Sequence, residues 1–187
     1  MHPFVYLPHE RLTPAELSAA RLDGHLVELG EGYIPADAVE TAGTRAASLR
    51  GVLGQALAAT HLTAAWVHGA VDEPPVRFDV QRAVPHRLHH VIDRRLTYRD
   101  VQLEPRNLQR VGGVLVTTPA RTLADLARDV VRGRSQPLGH AAVRVLAEAP
   151  GLARSAIVAL ALHDGAPGKR GAIALLRRLE RRVGAIT

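Results

Sequence analysis

The stretch from Val111 to Asp129 constrains the fold of this chain more than any other. Its letters, VGGVLVTTPARTLADLARD, place a Gly-Gly pair after Val111 and before the mostly β-branched run at 114–117, and then a threonine–proline step before an amphipathic segment. Gly112-Gly113 supplies the positive φ angles that a two-residue hairpin needs. Strands are therefore predicted over Leu108–Val111 and Val114–Thr117.

A helix is predicted directly after this hairpin. Thr118 is placed to cap it, and Pro119 suits the first helical position. Apolar side chains recur at helical spacing and predict one buried stripe. The stripe consists of Leu123, Leu126, Ala127, Val130 and Val131. The opposite, polar face is predicted to carry Arg121, Asp125, Arg128 and Arg132, with the first two paired at i, i+4.

Elsewhere the chain reads as a mixture of helices and short strands, which predicts an α+β fold. Thr13-Pro14-Ala15-Glu16 is a capping box that predicts a helix from Pro14 to about Asp23. The segment 26–34 predicts a tight β-hairpin. Later helices are predicted over 44–59, 63–68, 119–132, 139–149, 152–163 and 168–183, strands over 76–80 and 91–95, and an irregular basic loop over 81–90. The architecture expected is a small N-terminal helix–hairpin, a mixed central α/β lobe and a helical C-terminal half.

Composition excludes several classes of protein. Cysteine is absent, so neither a disulfide framework nor a thiolate metal site is possible. Aromatic residues make up only 3%, so the core has to be built from Ala, Leu and Val. The first fourteen residues lack the pattern of a signal peptide, and no apolar run approaches the roughly 20 residues that span a bilayer. A cytoplasmic protein without a membrane partner is expected.

Charge is distributed unevenly along the chain. Residues 1–76 hold four arginines and nine acidic residues, a net charge of −5, whereas residues 77–187 hold 20 basic and nine acidic residues, a net charge of +11. A basic part of this size favours a polyanion such as DNA. A solvated basic surface is the alternative.

The densest group of basic residues is called here the arginine cluster. Its arginines are predicted to hold the phosphates of nucleic acid, with a plain solvated loop as the alternative. The last helix also carries arginines on the face opposite its apolar stripe. This face is interpreted either as a surface that docks on a partner or as a solvated basic face. The arginine cluster consists of Arg82, His86, Arg87, His89, His90, Arg94, Arg95 and Arg99; the predicted nucleic-acid-binding residues are Arg82, Arg87, Arg94, Arg95 and Arg99.

No catalytic or cofactor motif is found. His86 and His89 have His-x-x-His spacing, but neighbouring arginines repel a cation and a zinc site needs four ligands. Asp79 has Gln81 two residues on, so the paired carboxylates that hold Mg²⁺ in a nucleotidyltransferase are missing. His68, before Gly69, is predicted to bond the last carbonyls of its own helix. We therefore expect neither enzymatic activity nor a cofactor.

Three segments carry a family resemblance. The run VTTPARTLADLAR at 116–128 resembles the V-T-[ST]-P-x-R-T-L-x-D-L-A signature of AbiEi-type antitoxins from type IV toxin–antitoxin systems. TAAWVHG at 63–69 resembles that family's S-A-A-x-L-H-G helix, and LGEGYIP at 29–35 its wing strand.

The resemblance implies a promoter-binding winged helix followed by an α/β antitoxin domain, and a nucleotidyltransferase-like toxin as partner. Only one helix is predicted before the hairpin, so residues 1–43 are interpreted as a shortened, degenerate winged-helix segment and residues 44–187 as the antitoxin-like domain. A non-catalytic, DNA-binding transcriptional regulator is expected. A protein-interaction module without DNA binding and an inactive nucleotidyltransferase-like protein remain alternatives, and the sequence leaves the operator, the toxin and the oligomeric state open.

Overall fold

The structure, a computed structural model, describes residues 4–88, 91, 93–162 and 167–184. These residues form an α+β fold with eight α-helices, one short 3-10 helix and seven strands in two sheets. The chain divides into two compact units, the first made of Met1–Ala59 and Val76–Val116 and the second of Thr60–Pro75 and Thr117–Thr187. The elements are α1 (Pro14–Leu22), β1 (Leu26–Leu29), β2 (Gly32–Pro35), α2 (Ala42–Ser48), α3 (Arg50–Leu53), β3 (Leu57–Ala59), α4 (His61–Val67), β4 (Phe78–Arg82), β5 (Leu96–Arg99), the 3-10 helix (Pro105–Asn107), β6 (Leu108–Val111), β7 (Val114–Thr117), α5 (Pro119–Val131), α6 (Pro137–Glu148), α7 (Leu152–Ala161) and α8 (Lys169–Gly184).

The N-terminal helix and hairpin are confirmed. Glu16 accepts a 2.7 Å hydrogen bond from the Thr13 backbone N–H, which completes the predicted capping box of α1. β1 and β2 pair antiparallel, and Tyr6 adds a bridge to Tyr33 through N–H···O bonds of 2.8 and 2.9 Å. Leu17 of α1 is buried, and α1 packs against β1 of the hairpin.

A five-stranded sheet forms the centre of the first unit, in the order β5-β4-β3-β7-β6. β3 runs antiparallel to β4 and parallel to β7, and β4 runs parallel to β5. Pairing places Val80, Ala59 and Val116 in one row across three strands, so their side chains share one face. All three are fully buried, and this apolar face is therefore the core side of the sheet.

The single helix predicted over 44–59 is wrong. The segment forms α2, α3 and then strand β3. Gly54 ends α3 with φ +55°, a conformation that favours glycine. Leu57-Ala58-Ala59 lies between β4 and β7, where its backbone groups are used by both neighbours.

Two predictions around the arginine cluster also need correction. The strand predicted over 76–80 is displaced to β4, so Gln81 and Arg82 belong to a strand and not to a loop. The strand predicted over 91–95 is wrong, because Asp93 accepts a 2.8 Å hydrogen bond from the Arg95 backbone N–H and turns the chain. β5 follows at Leu96–Arg99; Ile92, His89 and His90 lie outside the described residues.

Five helices, α4 to α8, make up the described part of the second unit, with α5 in contact with each of the other four. Thr118 Oγ1 accepts from the Arg121 backbone N–H at 3.3 Å and Pro119 is the first helical residue, which confirms the predicted start of α5. The C-terminal helices lie within a few residues of their predicted bounds, and His163 is outside the described residues. None of the helices in the described ranges is both long and apolar enough to cross a membrane.

The buried stripe predicted on α5 is correct only over its first two turns. Leu123, Leu126 and Ala127 are buried, whereas Val130 is half-buried and Val131 is exposed. The apolar stripe therefore leaves the core as the helix reaches its C-terminal turn.

The Gly-Gly turn between β6 and β7 is confirmed. Gly112 and Gly113 have φ +54° and +89°. A Cβ atom at Gly112 would lie 2.2 Å from the Gly43 carbonyl oxygen and 2.7 Å from the Ala47 backbone nitrogen, and both of these residues are in α2. Glycine is therefore required at position 112 for two reasons, namely the positive φ angle and the close approach of the α2 backbone.

Candidate functional site

Arg82 and Arg87 of the arginine cluster share one carboxylate. Arg82 Nε lies 2.9 Å from Asp100 Oδ1, as a contact of opposite charges without hydrogen-bond geometry. Its NH1 atom donates to the Val84 and Pro85 carbonyls at 3.2 and 2.6 Å. Arg87 Nε lies 3.6 Å from Asp100 Oδ2, and its side chain is 77% exposed. Asp100 therefore offsets part of the positive charge of both arginines.

Arg95 is held by two acidic residues. Its Nε and NH2 atoms donate to the two Asp93 carboxylate oxygens at 3.0 and 2.6 Å, and its NH1 atom donates to Glu31. Hydrogen bonds from Arg95 lower the pKa of the Asp93 carboxyl to about 2. Arg99 makes a longer ion pair, 3.5 Å, with Asp79. Both arginines are consequently matched by carboxylates of their own unit.

Arg94 is the exception among the five predicted arginines. It is exposed, and no carboxylate of the described residues lies within ion-pair distance of it. His86 is exposed as well, while His89 and His90 lie outside the described residues. The first unit as a whole holds 12 basic and 11 acidic residues, a net charge of +1. The arginine cluster is thus far less positive than its sequence alone indicates.

The second unit carries most of the excess positive charge. It holds 12 basic and seven acidic residues, a net charge of +5. Ala172 and Leu176 of α8 are fully buried, and its arginines occupy the exposed side of the helix, as predicted from the sequence. We call this side the outer face of α8; it consists of Arg170, Arg177, Arg178, Arg181 and Arg182.

The polar face of α5 is buried at Arg121 and Asp125 and half-buried at Arg128 and Arg132. Arg121 Nε donates to Asp125 Oδ2 at 2.7 Å, with side chains only 10% and 3% exposed. Arg128 NH1 lies 3.5 Å from Asp125 Oδ1. Four helices contact α5, and every residue from Arg121 to Ala127 is buried. The i, i+4 spacing identified the pair, but nothing in the local sequence shows that other helices cover it.

His68 has a different partner from the one predicted. It follows the last residue of α4, and its Nε2 atom lies 2.8 Å from the Thr117 carbonyl oxygen at the end of β7. Burial lowers the pKa of the imidazole, and the hydrogen bond to Thr117 opposes this only in part. The neutral ring therefore donates its Nε2–H to the carbonyl and ties α4 to the residue before the α5 cap.

A hydroxyl, an imidazole and a carboxylate also meet at the start of α4, which the sequence analysis did not identify. His61 Nδ1 lies 3.0 Å from Thr60 Oγ1, and His61 Nε2 lies 3.6 Å from Asp129 Oδ2. His61 has φ +47°, which is uncommon for a residue with a side chain. Thr60 is fully buried, and its hydroxyl is within hydrogen-bond distance of His61. Across the described residues, His, Asp and Glu form no group of three that could hold a metal ion.

The family model for the AbiEi antitoxin C-terminal domain matches residues 57–177. The match starts at β3, includes the five-stranded sheet and the signature at 116–128, and ends within α8. The chain belongs to this antitoxin family, as its three motifs predict. No curated protein matches the chain.

Proposed function

We propose that this protein is an antitoxin that also regulates transcription, by binding DNA through a basic surface and a cognate toxin through a separate contact. The family match over residues 57–177 is the observation that carries the proposal. The protein acts by binding in the cytoplasm, with no catalytic step and no cofactor. Its net charge of +6 supports contact with phosphates, since arginine neutralises them and releases counterions.

Within the arginine cluster, Arg87 and Arg94 are the arginines best placed to reach DNA. Arg94 is exposed without a described carboxylate nearby, and Arg87 is held only by a 3.6 Å contact. Arg82, Arg95 and Arg99 would have to exchange a carboxylate for a phosphate, which makes their contribution smaller. These contacts fix orientation on the duplex and carry no base recognition.

The N-terminal segment suits a protein partner better than DNA. We propose that residues 1–43 are a shortened winged-helix segment and that residues 44–187 are the antitoxin-like domain. Residues 1–43 contain seven acidic residues and two arginines, a net charge of −5 that opposes contact with phosphates. An acidic segment of this kind fits a basic surface on the toxin.

A protein-interaction module without DNA binding is the second candidate. It is favoured by the carboxylates that accompany four of the five predicted arginines. An inactive nucleotidyltransferase-like protein is the third candidate. The second carboxylate of a metal-binding pair is missing, because the next residue on the same face as Asp79 is Gln81, and Asp79 Oδ1 lies 3.5 Å from Arg99 NH2.

A salt titration separates the first two candidates. Fluorescence anisotropy would follow binding to a labelled duplex from the region upstream of the gene and to a scrambled duplex of equal length. We expect affinity to fall linearly with the logarithm of salt concentration. Absence of binding at roughly 50 mM salt and micromolar protein would favour the interaction module.

Co-expression tests the antitoxin part. A nucleotidyltransferase-like reading frame beside this gene would be induced alone and together with this chain, and growth would be measured. We expect this chain to restore growth. Arrest that persists when both proteins are made would remove the antitoxin proposal, whatever the DNA result.

A further inference from the structure

We propose that the outer face of α8 is a docking surface for the phosphate backbone of duplex DNA. The inference rests on the proposed DNA binding and places its main electrostatic contact on a helix that the arginine cluster does not include. The face consists of Arg170, Arg177, Arg178, Arg181 and Arg182, all exposed.

The geometry of α8 spreads these side chains along one surface. At about 100° per residue, Arg170, Arg177 and Arg181 lie within an arc of about 40°, with Arg178 and Arg182 beside them. At about 1.5 Å per residue, Arg170 and Arg181 are about 16 Å apart along the axis. A duplex carries roughly one charge per 1.7 Å of its axis, so several of these arginines can each meet a separate phosphate.

The charges on this face are not neutralised within the described part of the chain. None of the five guanidinium groups lies within ion-pair distance of a described carboxylate. Glu180, the one acidic residue of α8, lies 3.5 Å from Arg154 of α7. This contrasts with the arginine cluster, where carboxylates accompany four of the five predicted arginines.

Charge interactions within the helix do not account for these arginines. Arg177 and Arg181, and likewise Arg178 and Arg182, are like charges at i, i+4, which repel one another on a helix. Arg170 stands in the first turn, where the helix dipole disfavours a positive charge. Only Arg181 and Arg182, in the last turn, gain from the dipole. An external polyanion would relieve the repulsion, because each phosphate offsets one charge.

The chemistry of the face favours DNA over an acidic protein. Protein interfaces centre on Trp, Tyr and Arg side chains that fill well-packed, desolvated pockets. None of the exposed large apolar residues described in the chain lies in α8, so the face offers arginine and small side chains only. Guanidinium groups bind phosphate oxygens in pairs, and this contact does not require a pocket.

The test compares two variants that lose the same charge. In the full chain, R177Q/R178Q/R181Q/R182Q removes four arginines from α8, and R11Q/R21Q/R106Q/R110Q removes four from elsewhere. Duplex binding would be measured from about 50 to 200 mM salt. We expect the α8 variant to bind both duplexes at least tenfold more weakly. The slope of its log affinity against log salt concentration should be smaller in magnitude by about 3 to 4. The control variant should keep a slope close to that of the wild type.

Three further variants guard against misfolding of the fourfold variant and against an effect other than charge. Circular dichroism would establish folding, and if the fourfold variant does not fold, R177Q/R181Q and R178Q/R182Q should each lower the slope by about 2. The fourfold lysine variant of α8 should keep the slope, because it keeps the charge.

Several results would overturn the inference. An α8 variant with wild-type affinity and slope would do so, and equal competition by poly-L-glutamate would show an acidic partner instead of DNA. A slope lost only in R87Q/R94Q would return the contact to the arginine cluster and leave the proposed function intact. A wild-type protein that binds no duplex would overturn both proposals.

Discussion

Helices α5 and α8 are both amphipathic and rich in arginine, yet they use arginine in opposite ways. In α5, Arg121 is buried and hydrogen-bonded to Asp125 at 2.7 Å. In α8, Arg177 and Arg181 are exposed, with no carboxylate of the described residues at ion-pair distance. Two features differ: the residue four positions after Arg121 is Asp125, whereas the residue four positions after Arg177 is Arg181, and other helices cover α5 whereas the arginine side of α8 is exposed.

The comparison teaches that a count of arginines says little about binding. In a helix that other helices surround, an arginine with an acid at i+4 contributes to the fold, and solvent does not reach it. An arginine followed by another at i+4 on an outer helix keeps its charge available. The same distinction separates Arg82, which lies beside Asp100, from Arg94.

The largest effect is expected from breaking the α5 pair. Asp125→Ala would leave the Arg121 guanidinium buried without its carboxylate and should lower the free energy of unfolding by about 3 to 5 kcal/mol. Urea unfolding followed by circular dichroism would measure the loss. The double variant D125A/R121M removes both charges and should recover much of the stability. A loss below about 1 kcal/mol in the single variant would show that the α5 pair is as dispensable as a surface pair.

A smaller effect is expected from the contact that ties α4 to the start of α5. His68→Ala should cost about 1 kcal/mol at pH 7.5, because it removes a half-buried donor to the Thr117 carbonyl. In the wild type, burial lowers the pKa of His68 below its ordinary value of 6.5. Between the folded-state pKa and 6.5, the unfolded chain therefore binds more protons than the folded chain. The contribution is therefore complete above pH 6.5 and is lost as pH falls through the folded-state pKa.

Thermal unfolding between pH 7.5 and 5.5 would check the sign of this effect. His68→Gln keeps a side-chain N–H donor without titrating, so its melting temperature should fall less on acidification than that of the wild type. Parallel pH profiles for the two proteins would contradict the assignment of His68 as a neutral donor.

The smallest effect, and the opposite sign, is expected on α8. R177Q removes the like charge at i, i+4 from Arg181, leaves Arg181 in the last turn where the helix dipole favours it, and should stabilise the protein by about 0.2 to 0.5 kcal/mol at low salt. The gain should vanish at about 1 M salt, where the screening length is about 3 Å. Chemical unfolding at both salt concentrations would measure it, and destabilisation at low salt would show that Arg177 has structural partners.

Local chemistry made the start of α5 predictable. Thr118 and Pro119 act through contacts within one turn, and Gly112-Gly113 through its own backbone angles, so adjacent residues contain the necessary information. The start of the family signature was readable for the same reason.

Errors arose where distant parts of the chain decide the outcome. Leu57-Ala58-Ala59 is a short apolar run, and periodicity cannot separate a buried strand from a helix at that length; β4 and β7 determine the answer. The burial of Arg121 and Asp125 depends on helices that follow later in the chain. The ion pair of Arg95 with Glu31 was missed because the two residues are 64 positions apart in the chain.

The contact between Gly112 and α2 has a consequence for strand alignment. A slip of one residue along the β6–β7 hairpin would bring Val111 or Gly113 to the place where the Gly43 carbonyl oxygen leaves no room for a Cβ atom. The slip toward Val111 is sterically blocked, and either slip would turn Val114 and Val116 from the buried face to the other side of the sheet. The lack of room for a Cβ atom beside α2 therefore blocks one slip, and the burial of Val114 and Val116 opposes both, so the hairpin is held in one register before the antitoxin signature begins.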